Sequence, residues 1–302
     1  VHVGLCSMTI ALHGNQFQKE KYLPQLATDK VGAYSLSEAG SGTDAASMSC
    51  SAKLNEEGTH YILNGEKMWV TNGSQADIIV LFAKDVDHPD FGNKKHGGTT
   101  AFIIEKEFEG FSVGKKEDKL GIRSSDTVTL VLDNCKVPIE NVLKKSGEGF
   151  PIAMNALDNS RIGIAAQALG ISQGAYEASL KFANERETFG KPILYHQTIG
   201  NYLAEMATRI DASRMMVYRA SWAKEKHYDE GGKRHSKEAS MAKLYAGDTA
   251  MWVAERAVQI HGGYGYVTEF PVERFFRDAK ITQIYEGTQE VQRIVIAREI
   301  NK

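Results

Sequence analysis

The residues best suited to chemistry lie near the end of the chain, in Arg277-Asp278-Ala279-Lys280-Ile281-Thr282-Gln283-Ile284-Tyr285-Glu286-Gly287-Thr288-Gln289-Glu290. A polar and charged run gives way to Ile284 and Tyr285, then to one carboxylate, then to a glycine and a threonine able to start a helix. A carboxylate against apolar neighbours loses hydration, so its pKa rises towards working pH and it becomes a better general base. A second reading is open on these residues alone: an acid at a helix N-terminus complements the helix dipole.

Five other stretches carry usable groups. Ser35-Leu36-Ser37-Glu38-Ala39-Gly40-Ser41-Gly42-Thr43-Asp44 leaves a strand for a loop rich in glycine and hydroxyls. Such a backbone can approach a ligand closely, and its hydroxyls and N–H groups can meet a cofactor ring or a phosphate. A plain turn satisfies the same pattern. Met68-Trp69-Val70-Thr71-Asn72-Gly73 reads as a strand ending in a turn, with Trp69 a core residue on composition alone. Asp158-Asn159-Ser160-Arg161 reads as the capped start of a helix. Arg186-Glu187-Thr188-Phe189-Gly190 pairs in interest with Gln259-Ile260-His261-Gly262-Gly263-Tyr264-Gly265, whose glycines suit a helix C-cap. They are no dinucleotide fingerprint, since no strand precedes them.

The elements that must position these groups follow from periodicity. Val1 to Leu12 has helical character and is read as neither a signal nor a transit peptide. From Gly32 to about Pro138, short alternating runs separated by turn residues predict an all-β domain, a sandwich or small barrel. Two of those runs are His60 to Leu63 and Lys67 to Val70. From Gly149-Phe150-Pro151 the period lengthens, Pro151 suiting a first helical turn. Ile199, Leu203, Met206, Ile210 and Val217 recur at helical spacing, as do Ala239, Ala242, Ala246, Ala250, Val253, Ala257 and Ile260. Residues 228–233 form the polar connection between those helices, and the second half reads as four long helices in a bundle.

Composition excludes several classes. A net charge of −2 offers no broad basic surface for nucleic acid. No run approaches the roughly 18 apolar residues of a membrane span, so the chain reads as soluble. Cys6, Cys50 and Cys135 are widely spaced and odd in number, which argues for buried free thiols in a reducing compartment. Neither they nor the nine histidines show a metal-ligand spacing.

Ile284-Tyr285-Glu286-Gly287-Thr288 resembles the Ile-Tyr-Glu-Gly-Thr signature of the acyl-CoA dehydrogenases, and five further motifs follow that family's order. The resemblance runs from about Gln18 to the C-terminus and is nearest to the short-chain and short branched-chain members. It implies a multi-domain α+β fold: residues 1–31 as a remnant of an N-terminal helical domain, 32–142 as a central flavin-binding β-domain, and 143–302 as a C-terminal four-helix domain. The family's N-terminal domain is longer, which predicts an acyl pocket less enclosed than usual.

The resemblance also implies roles. Glu286 would be the base, removing the α-proton of an acyl-CoA while the β-hydrogen leaves as hydride to FAD, giving a trans-2-enoyl-CoA. Isovaleryl and long-chain relatives place their base at position 160, where this chain has serine. FAD would be held by Tyr34, Leu36, Ser37, Gly42, Thr43, Trp69, Val70 and Thr71 at its ring. Arg186, Thr188, Gln197, Gln259 and Gly263, with Thr288 and Glu290, would hold its adenosine diphosphate part, the arginine motif coming from one subunit and the glycine turn from another. Thr43, Phe150, Asp158, Arg161, Tyr285 and Gly287 would contact substrate. An electron-transferring flavoprotein would take the electrons, and the chain would be a homo-oligomer, a dimer of dimers. The setting implied is fatty acid β-oxidation or branched-chain amino acid catabolism, in the mitochondrial matrix of a eukaryote and otherwise the cytoplasm. Two alternatives of the same fold stay open: an acyl-CoA oxidase using oxygen, and a non-catalytic flavin-binding assembly subunit.

Overall fold

The computed structural model describes residues 1–229, 231 and 234–301. Of the polar connection expected at 228–233, Glu230, Gly232 and Lys233 lie outside the described residues. The chain divides into two compact units, Val1–Asp118 with Arg123–Leu157 and Lys119–Ile122 with Asp158–Lys302.

The first unit is built on one seven-stranded sheet. Its strands are β1 (Gly32–Ser35), β2 (Ser51–Leu54), β3 (His60–Thr71), β4 (Ile78–Asp85), β5 (Thr99–Glu105), β6 (Phe111–Lys116) and β7 (Thr127–Pro138). β4 is buried at every position, as a central strand reading Ile-Ile-Val-Leu-Phe-Ala should be. It pairs in parallel with β1 and β2 and antiparallel with β5. Ala33, Leu63, Val70, Leu81, Phe102, Leu130 and Val137, drawn from strands across the sheet, share one core. The alternating pattern therefore produces one hydrogen-bonded sheet of seven strands and not two.

The runs expected at His60–Leu63 and Lys67–Val70 form one strand of 12 residues. Its pairing with β7 shifts register between Leu63 and Gly65 and again between Lys67 and Val70, so bulges carry the ladder through what reads in sequence as a break. Gly65, at φ 138, lies so near Cys50 that an added Cβ would come within 2.9 Å of its Cα.

The opposite face of β4 and β5 presents Ile78, Val80, Phe82, Ala101 and Ile103. It is covered by the helical turn His2–Ser7, by α1 (Met8–His13) and α2 (Gln16–Thr28), and by the first turns of α3 (Gly149–Glu185), through Leu5, Ile10, Tyr22, Ile152 and Ala156. Gln18 fixes α2 by donating hydrogen bonds from its Nε2 to the carbonyls of Glu140 and Val142 at 2.7 and 2.8 Å. Residues 1–31 thus share a core with the sheet, and the division falls at Leu157/Asp158 where the sequence suggests 142/143.

The second unit is helical: the remainder of α3, α4 (Gln197–Asp229), α5 (Ser236–His261), α6 (Val272–Ala279) and α7 (Gln289–Ile300), with a short hairpin of β8 (Glu187–Thr188) and β9 (Lys191–Pro192) between α3 and α4. The small face predicted for α5 is buried, Ala239, Ala242, Ala246, Ala250 and Ala257 having no exposed surface. It meets Ile162, Ala165 and Ala168 of α3 and Val217 and Ala220 of α4. Among the described residues only α3, α4 and α5 are long; α7 has 12 residues, because a glycine-rich turn, Pro271 and Gly287 interrupt the preceding chain.

Behind the loop that follows β1, Lys67 and Glu38 form a buried ion pair at 2.8 Å, with side chains 0% and 5% exposed. Lys67 also donates to the Leu36 carbonyl at 3.1 Å, while Glu38 accepts from Ser49 N, Ser49 Oγ and Cys50 N. Burial pushes the Glu38 carboxyl up, but Lys67 and the Ser49 donors outweigh it and hold it below the usual value. Its stabilising effect is complete above the ordinary carboxylate range and is lost as pH falls through the depressed value. Glu38→Ala leaves the Lys67 ammonium buried without its counter-charge and should cost about 3–5 kcal/mol. A lowered denaturant midpoint checks this, and a Glu38→Leu/Lys67→Met double variant should recover most of the loss.

Candidate active site

Glu286 lies between the turn Lys280–Gln283 and the start of α7. Its backbone is left-handed at φ 56, and Gly287 follows at φ 88. A non-glycine residue held there stores on the order of 1–3 kcal/mol and persists only where its surroundings enforce it. The surroundings are specific. The Glu286 carbonyl accepts from Arg161 Nε at 3.4 Å and Gln292 Nε2 at 3.3 Å, and Gln292 also donates to the Gly287 carbonyl at 2.8 Å. A Cβ at Gly287 would sit 2.7 Å from Gln292 Nε2 and would displace that amide, and at φ 88 a side chain is strained whatever the space.

Gln289 anchors the same loop to α5. It accepts from Lys243 Nζ at 3.1 Å and donates to the Leu244 carbonyl at 2.8 Å and to Asp248 at 2.9 Å. Thr288 caps α7, its hydroxyl accepting from Val291 N. The Glu290 carboxyl, in the first turn, is held below its usual value by its own backbone N–H and by Thr288. Tyr285 donates its hydroxyl to Gln167 at 2.5 Å; burial and then the Glu286 charge push its pKa up.

The Glu286 carboxylate accepts from Ser160 Oγ at 2.5 Å. The residue keeps some accessible surface, yet the protein packed around its carboxyl dominates and raises its pKa above the ordinary value. Ser160, Arg161 and Lys243 pull the other way without cancelling it. Lys243 has no exposed surface, and burial lowers its pKa to about 8, with Arg161 adding to the fall. The arrangement is a fixed carboxylate that is easier to protonate than a free one, which is what a base working near neutrality needs.

Asp158 and Arg161 do not begin a helix, since α3 starts at Gly149. Both are 5% exposed. Asp158 accepts from Arg161 Nη1 at 2.7 Å, Arg234 Nη2 at 2.7 Å and Ser236 Oγ at 2.5 Å. Both of its oxygens accept from protein donors, which makes Asp158 a buried counter-ion for Arg161. Phe150, in the first unit, stacks on His96 with ring centroids 5.2 Å apart.

A separate cleft of about 730 Å³ lies in the second unit, lined by Arg186, Thr188 and Gly263 together with Phe182, His261 and Tyr264. Phe182 stacks on His261 at 4.3 Å, and the Arg186 guanidinium lies 5.6 Å from the Tyr264 ring centre. The His261 Nδ1 is satisfied by the Ala257 carbonyl at 2.8 Å. Thr188 Oγ1 is 2.9 Å from His196 Nε2. Arg186 and Gly263 line this cleft within the one chain, where the aromatic stack joins the ends of α3 and α5. Gln197 and Gln259 are exposed and do not line the cleft.

In the first unit, Trp69 is 56% exposed with a left-handed backbone at φ 56. The bulge turns it out of the sheet, against the core placement that composition suggests. Val70 is 1% exposed within the core, paired with Val128 of β7. Tyr34 is buried against Phe82 at 5.2 Å. The loop holding Leu36 and Ser37 is fixed by Lys67 on the Leu36 carbonyl and by Met68 N on the Ser37 carbonyl at 2.9 Å. Gly42 and Thr43 are exposed, with open space around a Cβ built at Gly42. An exposed aromatic face beside a fixed loop suits a planar ring, and the cationic wall of the cleft suits a pyrophosphate, so the residues fit FAD. Sequence reasoning missed the residues that hold the others: Lys67, Glu38, Gln167, Lys243, Gln289 and Gln292. No motif marks them, since all but Gln292, which reaches back to Glu286 and Gly287, act on partners more than ten positions away in sequence.

Two family models match, "Acyl-CoA dehydrogenase, middle domain" over residues 33–135 and "Acyl-CoA dehydrogenase, C-terminal domain" over 147–301. A short-chain specific acyl-CoA dehydrogenase of Clostridium acetobutylicum is 47% identical over 300 residues, covering 99% of this chain and 76% of that protein. A solved chain described under the electron transferring flavoprotein of Acidaminococcus fermentans superposes with a TM-score of 0.92 at 48% identity, covering 99% of this chain and 76% of the other. An acyl-CoA dehydrogenase from Bacillus anthracis, complexed with FAD, gives a TM-score of 0.92 at 38% identity, covering 99% of this chain and 52% of that one. With the α+β fold and the glutamate loop in place, the chain belongs to the acyl-CoA dehydrogenase family.

Proposed function

We propose that the protein is an FAD-dependent acyl-CoA dehydrogenase acting on short-chain or short branched-chain acyl-CoA, with Glu286 as its base. The observation that carries this is a buried carboxyl with a raised pKa, on a strained loop held by Arg161, Gln292 and Gln289. The short-chain relative in Clostridium supports the substrate class.

FAD, when bound, accepts the substrate β-hydrogen as hydride and so supplies the redox half of the reaction. The rest falls to the protein. Glu286 takes the α-proton, and its backbone N–H is the donor assigned to polarise the thioester carbonyl that acidifies that carbon. Tyr285 and Gly287 shape the wall beside the reacting carbons, and Arg161 supports the loop from behind. Trp69 and Thr71, with the Ser37 loop, hold the flavin ring; Arg186, Thr188 and Gly263 hold the adenosine diphosphate, with Gln197 and Gln259 at the margin. The product is a trans-2-enoyl-CoA. An electron-transferring flavoprotein is the proposed acceptor, which the Acidaminococcus likeness favours. Met215, Tyr218 and Trp222, 52%, 61% and 60% exposed, fall at helical spacing along α4 and support a homo-oligomer.

Glu286→Gln should keep FAD yet abolish desaturation, because the amide cannot take the proton. Mixed anaerobically with butyryl-CoA, the variant should leave the flavin absorbance unbleached, and rapid bleaching would place the base elsewhere. Arg186→Ala should weaken FAD retention by at least tenfold, since a cation on pyrophosphate contributes about 1.5–3 kcal/mol. The flavin-to-protein ratio after gel filtration reads this, and a fully yellow variant would remove Arg186 from the cofactor site. Dye-linked turnover with slow reoxidation in air is the outcome for a dehydrogenase; rapid reoxidation would mark an oxidase.

A further inference from the structure

Glu286 is gripped at two points that do different work. Arg161 and Gln292 hold its backbone carbonyl, while its carboxylate is met by Ser160 Oγ at 2.5 Å on Oε2. Ser160 adds no charge and lies one residue before Arg161 on α3. We infer that Ser160 is a positioning residue for Glu286: its hydroxyl holds Oε2 and so presents Oε1 as the oxygen that takes the substrate proton. The inference rests on the reading of Glu286 as the base.

Two physical consequences follow from that one hydrogen bond. The terminal torsion of a glutamate is broad and settles into no sharp well by itself. A hydroxyl fixed on a long helix supplies the missing restraint. A donor on a carboxylate also favours the charged form, and here it acts against the desolvation that raises the Glu286 pKa.

The other groups facing Glu286 do not duplicate this. Arg161 on α3 and Lys243 on α5 act on the carboxylate as charges and not as hydrogen-bond donors to it. Arg161 is itself balanced by Asp158 at 2.7 Å. Lys243 also feels Asp248 and, from α7, Glu290. The Tyr285 hydroxyl is turned to Gln167. Ser160 therefore controls the position of the carboxylate oxygens, while the charges around it set the background on which it acts.

The test uses the FAD-loaded protein and butyryl-CoA, with kcat/KM measured across pH for the parent, Ser160→Ala and Ser160→Thr. Protonated Glu286 is inactive, so removing a donor that favours its charged form moves the acidic limb to higher pH. Ser160→Ala should shift that limb up by about one pH unit, the equivalent of one hydrogen bond to a charged group. Ser160→Thr, which keeps the hydroxyl, should restore the parent limb. A Ser160→Ala limb coincident with the parent overturns the inference, and so does Ser160→Thr behaving like Ser160→Ala. Loss of FAD from both variants would make Ser160 structural and overturn it as well. Glu286→Gln run in parallel separates the two levels: if it still bleaches the flavin, the base assignment falls and this inference with it, whereas an inert Glu286→Gln beside an unshifted Ser160→Ala sinks the inference alone.

Discussion

A carboxylate on a left-handed backbone beside a buried lysine and a buried arginine is costly in three ways: strain, desolvation and uncompensated charge. Each is met by a different contact. Strain at φ 56 is offset by the grip of Arg161 and Gln292 on the Glu286 carbonyl. Desolvation of the carboxylate is reduced by Ser160. The Arg161 charge is carried by Asp158, which is itself held by Arg234 and Ser236. The helices are arranged around these needs: α3 brings Ser160 and Arg161, α5 brings Lys243 and Asp248, and α7 starts where Gln289 locks onto α5.

That dependence explains the composition of α5. An alanine face allows the close helix packing that places Gly247 against Thr282 and Gln289, where an added Cβ would lie 3.1 Å from the Thr282 carbonyl oxygen and 3.0 Å from Gln289 Nε2. Larger side chains there would separate the helix from the loop and break the Gln289 lock. The same logic appears in the first unit on a smaller scale. The Lys67–Glu38 pair is a poor source of net stability, since burying two charges costs as much as their attraction returns. Its value is geometric: it fixes the Leu36 carbonyl and, with Met68 N, the loop that carries Ser37.

Much was legible in the chain itself. Switching hydrophobic period from two to 3.6 marks the passage from sheet to helices, because side-chain direction is a local property of backbone geometry. The glutamate between an apolar pair and a glycine was visible for the same reason, and so were the loop glycines near Gly42. Where local signals misled, a bulge or an interruption was the cause: β3 runs through the one apparent break with two register shifts, Trp69 leaves the core on a bulge, and the fourth long helix becomes α6, a turn and α7.

What the sequence determined by itself, then, is which segments are strands and helices, which face of each is apolar, and which carboxylate could serve as a base. These depend on neighbours within a few residues. Tertiary structure alone decided what each polar group faces. Asp158 and Arg161 become an internal pair, Arg186 and Gly263 share one cleft, and Ser160 meets a carboxylate 126 positions away in sequence. The physical reason is that the free energy of a buried charge is set by the few groups that replace its water, and in this fold those groups come from separate helices.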